Sequence, residues 1–148
     1  PAANEGESMS LKIGFSGPLD EREAIRDLFG IYADCSARGD RELWVSLWTE
    51  DAHWTSHLFD AAGHDGLRET WDMLWANWEN VGFFNEFGMM QIDGDRAEVR
   101  SYSREVVLLK DGSIYKLVGR YDDELVKVDG AWKFRNRHYI LQSHEPPA

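Results

Sequence analysis

The run WKFRNRHYIL, residues 132–141, packs arginine, histidine and aromatic side chains into one strand-like segment. Strict alternation sets Trp132, Phe134, Asn136 and His138 against Lys133, Arg135, Arg137 and Tyr139. The aromatic pair argues that the first set faces the interior, bringing in His138, a group that can move protons near neutral pH. If the second set faces inward, Arg137 is placed to bind a carboxylate or polarise a carbonyl. The alternative for Arg137 is a surface ion pair with Asp122, Asp123 and Glu124. In AHWTSHLF, residues 52–59, Trp54 falls on one side and His53 and His57 share the other. Two histidines without an identifiable third ligand do not make a zinc site, so no metal is expected. Tyr32 lies on the apolar side of a helical pattern with Leu28 and Cys35, and a buried phenol needs a hydrogen-bond partner, in the protein or in a ligand. Trp71, Trp75 and Trp78 recur at one helical face. Trp71 and Trp75 are read as packing, and Trp78, nearest the following strand, as the wall of a binding cavity.

These residues must be positioned by elements that the pattern suggests. Helical periodicity runs over residues 19–38, with Asp20 and Glu23 as an N-terminal capping arrangement and Gly39 as the stop. Asp40 then caps a short second helix bearing Leu43, Trp44, Leu47 and Trp48. A strand at 52–59 leads into a third helix that carries the tryptophans. From Phe83 onward the period is two, and the turns IDGDR, KDGS and VDGA separate runs at about 83–92, 96–110, 113–128 and 132–141. The expected fold is α+β: a single domain in which a curved, mainly antiparallel sheet wraps three N-terminal helices as a cone. Its bounds are read as 18–142, with an N-terminal tail or appended remnant at 1–17 that holds a candidate start at Met9, and a C-terminal tail at 143–148.

Composition narrows the partners. A formal charge of −11 disfavours phosphate backbones and anionic lipid surfaces, so neither nucleic acid nor membrane is expected. One cysteine, Cys35, forms no internal disulfide, and the opening PAANEGESMS lacks the apolar middle of a signal peptide, which suggests a cytoplasmic protein. Val106, Leu108, Tyr115 and Leu117 are expected on the convex side of the sheet and predict a homodimer or homotrimer.

The order of elements, with DLFGIYADCSARGDRELWVSLWTEDAHW, GHDGLRETW, QIDGDRAEV and GRYDDELVKVDGAWKFRNR, resembles the nuclear transport factor 2-like superfamily, and within it the SnoaL-like branch of polyketide cyclases, dehydratases and dehydrochlorinases. The resemblance covers about residues 20–141 and implies an apolar pocket, usually without metal or organic cofactor. It also implies an aspartate–histidine dyad as the base, and here the matching positions are Ala37 and the segment FFN at 83–85. Tyr32, Trp54 and Arg137 do match pocket positions, and a bulge near Arg135 or Asn136 would reconcile an inward Arg137 with the inward aromatic pair. Asp34, one turn before Ala37, is the candidate displaced base.

The resulting expectation is a cofactor-free lyase, dehydratase or isomerase acting on a hydrophobic small molecule, cyclic ones included. Tyr32, Asp34, Arg137 and His138 are its candidate catalytic residues, and Trp54, Trp78, Phe84 and Asn85 its candidate substrate contacts. The alternative is a non-catalytic binding or assembly domain of the same fold, favoured by loss of both dyad positions. An open cavity with a titratable wall group separates the two.

Overall fold

The computed structural model describes residues 11–148, so most of the expected 1–17 tail lies outside the described residues. Within that expected tail, Gly14–Ser16 forms a short strand, β1, that pairs in parallel with Met89, Met90 and Gln91. The first helix, α1, spans Leu19–Arg38 and buries Ile25, Leu28, Phe29, Tyr32, Cys35 and Ser36 along one face. Its N-cap is Pro18 rather than Asp20: the proline φ of −59° suits helix entry, which places Asp20 inside the first turn. Gly39 closes the helix in the left-handed conformation (φ 68°), and the Asp40 carboxylate accepts the Leu43 N–H at 3.2 Å to open α2, Arg41–Ser46.

Strand β2, Trp48–Thr55, starts four residues before its expected position and ends in a turn at Ser56, which leads back antiparallel through β3, Asp60–Ala62. Helix α3, Gly63–Trp75, stops before Trp78, which opens β4, Trp78–Asp93. The meander continues through β5, Arg96–Leu109, β6, Ile114–Val128, and β7, Ala131–Glu145, so the last strand runs past the expected domain end at 142. The β6–β7 turn has positive φ at both Asp129 (49°) and Gly130 (81°), the conformation that matches strand twist in a two-residue hairpin. The seven strands form one open, curved sheet in the order β1-β4-β5-β6-β7-β2-β3, and the helices cover its concave side.

A bulge on β7 decides what that concave side contains. Leu125 pairs with Phe134 and Glu124 with Asn136, leaving Arg135 as the extra residue. The inward phase therefore switches, and Trp132, Phe134, Arg137 and Tyr139 are all buried. The same switch turns His138 outward, contrary to the simple alternation, and its ring bonds Thr55 Oγ1 at 2.7 Å on the exposed surface.

Leu117 and Tyr115 differ from expectation as well. Leu117 is buried in a small cluster with Val81 and Val107, with Tyr115 packed against it, because their parity places them on the concave face. The convex face carries Leu108, as expected, together with Phe84, Tyr102 and Val118.

Candidate active site

The open end of the cone is walled by a continuous belt of tryptophans. Trp54 meets Trp44 at a centroid distance of 5.3 Å, Trp44 meets Trp71 at 5.0 Å, Trp71 stacks on Trp75 at 5.3 Å, and Trp75 reaches Trp78 at 5.9 Å. These five indoles line a cavity of about 50 Å³ together with Tyr32, Phe83, Tyr121 and Glu105. That volume holds a few waters. A ring-sized occupant requires the half-buried Trp75 and Trp78 to move apart. All three residues of the tryptophan stripe thus reach the cavity, including the two read as packing alone.

Glu105 is the one carboxyl in this wall, and the sequence reading missed it. It lies on the concave face of β5, where Ala97, Val99, Ser101, Ser103 and Val107 share its phase. A charged residue on an otherwise apolar or small face was the available signal. Burial pushes its carboxyl up to about 7, against the opposing pull of Arg137 and a long contact from the Ser103 hydroxyl at 3.5 Å. At neutral pH both its forms are populated, the condition under which a carboxyl can both give and take a proton. Burial likewise raises the phenols of Tyr32 and Tyr121, so both remain neutral donors.

Arg137 is buried, 1% exposed, beneath this wall, but its guanidinium is engaged. Nε and Nη2 donate to the two carboxylate oxygens of Asp123 at 2.9 and 3.1 Å. Its Cζ lies 3.8 Å from the Tyr121 ring centroid, 4.5 Å from Phe134, 4.6 Å from Tyr32 and 5.2 Å from Phe29. Burial works against the arginine's charge and Asp123 more than restores it, so the cation is permanent and internally neutralised. The ion pair expected with the acidic run does exist, but it is enclosed.

Of the other candidates, Tyr32 (3% exposed) and Trp54 (7%) line the cavity, and the Trp54 indole N–H has no partner among the described residues. Asp34 is exposed and pairs with Arg38 at 3.1 Å one helical turn away, on the wrong side of α1 to serve as base. Ala37 is exposed too, and the α1 residue that continues the cavity wall from Tyr32 is Ser36. Phe84 is 65% exposed, because β4 begins at Trp78 with a bulge at Glu79 and so turns Phe83 inward. Asn85 shares the inward phase, half-buried, with both side-chain polar atoms unpartnered and outside the cavity wall. His53 bonds Asp60, and among the described residues no three His, Cys, Asp or Glu side chains are grouped as a metal site.

With this geometry in view, the SnoaL-like domain model matches residues 18–138, and the chain belongs to that family, within the nuclear transport factor 2-like superfamily. Among solved structures it is similar to a protein assigned as an aromatic ring hydroxylase from Novosphingobium aromaticivorans, with 26% identity, TM-score 0.83, and coverage of 88% of this chain and 96% of the other. A protein assigned as a scytalone dehydratase from the same organism superposes with TM-score 0.81 at 25% identity, covering 86% and 88%. A hexachlorocyclohexane dehydrochlorinase shares the fold with TM-score 0.79 at 20% identity, covering 88% and 90%. A comparison with functionally curated proteins gave no match. No helix among the described residues is long and apolar enough to cross a membrane.

Proposed function

We propose that the protein is a cofactor-free lyase of the dehydratase type, or an isomerase, that acts on a hydrophobic ring compound with Glu105 as its acid–base group. The observation that supports this most directly is an aromatic cavity whose wall holds a single carboxyl raised to about 7. Tyr32 and Tyr121, both neutral phenols on the same wall, orient an oxygen of the substrate by hydrogen bonds, and the indoles hold its ring. Arg137 sets the electrostatics from behind, since it is not among the cavity's lining residues and its Nε and Nη2 are held by Asp123, with Nη1 buried and unpartnered among the described residues. The dehydratase and dehydrochlorinase neighbours favour elimination, the loss of a leaving group and of a proton from the neighbouring carbon, as the reaction class.

The test is an assay of hydroxylated ring compounds for loss of water, with rate followed against pH. Turnover should inflect near pH 7 and fall by about 100-fold or more in a folded Glu105→Gln variant. Turnover retained in that variant would remove Glu105 from the chemistry.

Self-association is the companion proposal. Phe84, Leu108 and Val118 share the convex face with Tyr102, among Arg104, Lys116 and Arg120. Light scattering should give a mass above the 17.1 kDa of one chain, and Phe84→Glu should lower it. A monomeric mass at micromolar concentration would contradict this.

A further inference from the structure

We infer that chemistry in this cavity passes through a cationic intermediate, so that the substrate is a tertiary, allylic or benzylic alcohol whose C–O bond breaks to a stabilised carbocation. The inference rests on the acid–base reading of Glu105 and extends it to the sign of the charge that develops. Aromatic rings present electron-rich faces, and this cavity is enclosed by five indoles and the rings of Tyr32, Tyr121 and Phe83. None of its lining residues is a lysine, arginine or histidine, and the one ionisable carboxyl adds negative charge. The adjacent cation, Arg137, is neutralised by both oxygens of Asp123. An interior arranged this way stabilises a positive centre and offers a negative one only neutral donors, the two phenols and the Trp54 indole N–H among them. The fold already uses the same interaction beneath the cavity, holding the Arg137 guanidinium among four rings.

The step balances without a co-reactant. Neutral Glu105 gives its proton to the substrate hydroxyl, and the C–O bond breaks with its electron pair leaving on water. The carbon left positive lies among the indole faces. The Glu105 carboxylate then takes a proton from the neighbouring carbon, and that C–H electron pair becomes the new double bond. Water and an alkene leave, and the acid form of Glu105 is restored.

The experiment compares two soluble probes of equal shape, choline and its uncharged carbon isostere neopentyl carbinol, by quenching of tryptophan fluorescence in the full-length protein. Choline stands in for the positive centre and is not offered as a natural ligand. At pH 8 choline should bind about tenfold more tightly than the isostere. Trp78→Leu, at the half-buried mouth, should narrow that ratio. Choline affinity should also rise through pH 7 as Glu105 ionises, with Arg137, Tyr32, Tyr121, Tyr139 and Ser103 as the groups around it, and Glu105→Gln should flatten that rise. Equal affinity for the two probes, tighter binding of the isostere, or no choline binding at millimolar concentration would each overturn the cationic route. Those outcomes leave the acid–base reading standing if turnover still depends on Glu105. Turnover that survives in Glu105→Gln removes both.

Discussion

At pH 8, Glu105→Gln is expected to melt several degrees above the parent protein, and at pH 4 to melt at nearly the same temperature. A carboxyl moved by burial from 4.5 to about 7 binds its proton more tightly in the folded chain than in the unfolded one. Below pH 4.5 both states are protonated and nothing is lost. Between 4.5 and 7 the folded state holds more protons, so stability declines as pH rises. Above 7 the cost is complete, at about 2 to 3 kcal/mol for a group that is half-buried. Glutamine keeps the shape and carries no charge at any pH, so it recovers this amount only on the alkaline side. The measurement is thermal unfolding of both proteins from pH 4 to 9. A constant difference across that range would show that the Glu105 carboxyl is not held in a shifted state. Joined to the expected loss of turnover, the result is a residue that serves function at the expense of stability.

Breaking the Arg137–Asp123 pair is expected to cost about 3 to 5 kcal/mol, because each partner is fully enclosed and loses the counter-charge it is hydrogen-bonded to. Arg137→Ala is thus a core lesion, contrary to the sequence expectation of a ligand-binding arginine. The two single variants should differ in their pH response. Burial already raises the Asp123 carboxyl above the ordinary range even with Arg137 beside it. In Arg137→Ala the aspartate can therefore escape its penalty by taking a proton, and the variant should recover stability between pH 8 and pH 5. Asp123→Asn leaves a guanidinium that does not deprotonate, so its loss should persist across that range. Replacing both, as Arg137→Met with Asp123→Leu, should restore most of the stability. Denaturant unfolding at the two pH values reads all three cases, and parallel losses in the single variants would refute the asymmetry.

Much of the framework was legible in local signals. The apolar period from Ile25 to Cys35, the left-handed glycine at 39 and the Asp40 cap depend on residues within a turn of one another, and α1 runs Leu19–Arg38 as that pattern implies. The hairpin turns that divide the meander are equally local. Trp78 was less legible, because three tryptophans at helical spacing look alike whether or not the helix reaches the last of them. Tyr32 and Trp54 were found because each sits in an element whose apolar face the pattern marks clearly. Glu105 was overlooked because its importance lies in what surrounds it in the cone: Tyr32 from α1, Tyr121 from β6 and the indole belt from α2, β2, α3 and β4.

The sequence alone therefore determined the three helices, the meander, their order and the aromatic supply of the interior, since these follow from periodicity and turn chemistry over a few residues; the short strands β1 and β3 were not among them. The tertiary structure decided which charges lie inside. Counting back from the Asp129–Gly130 turn, an unbroken β6–β7 ladder would set Arg137 opposite Asp122 and leave both outside the inward phase of Trp132 and Phe134. The extra residue at Arg135 sets it opposite Asp123 instead and turns it inward with Tyr139. Side chains alternate with a period of two, so one inserted residue reverses the face of everything beyond it. Where that insertion falls is fixed by how the curved sheet closes over α1, which no local run of residues specifies.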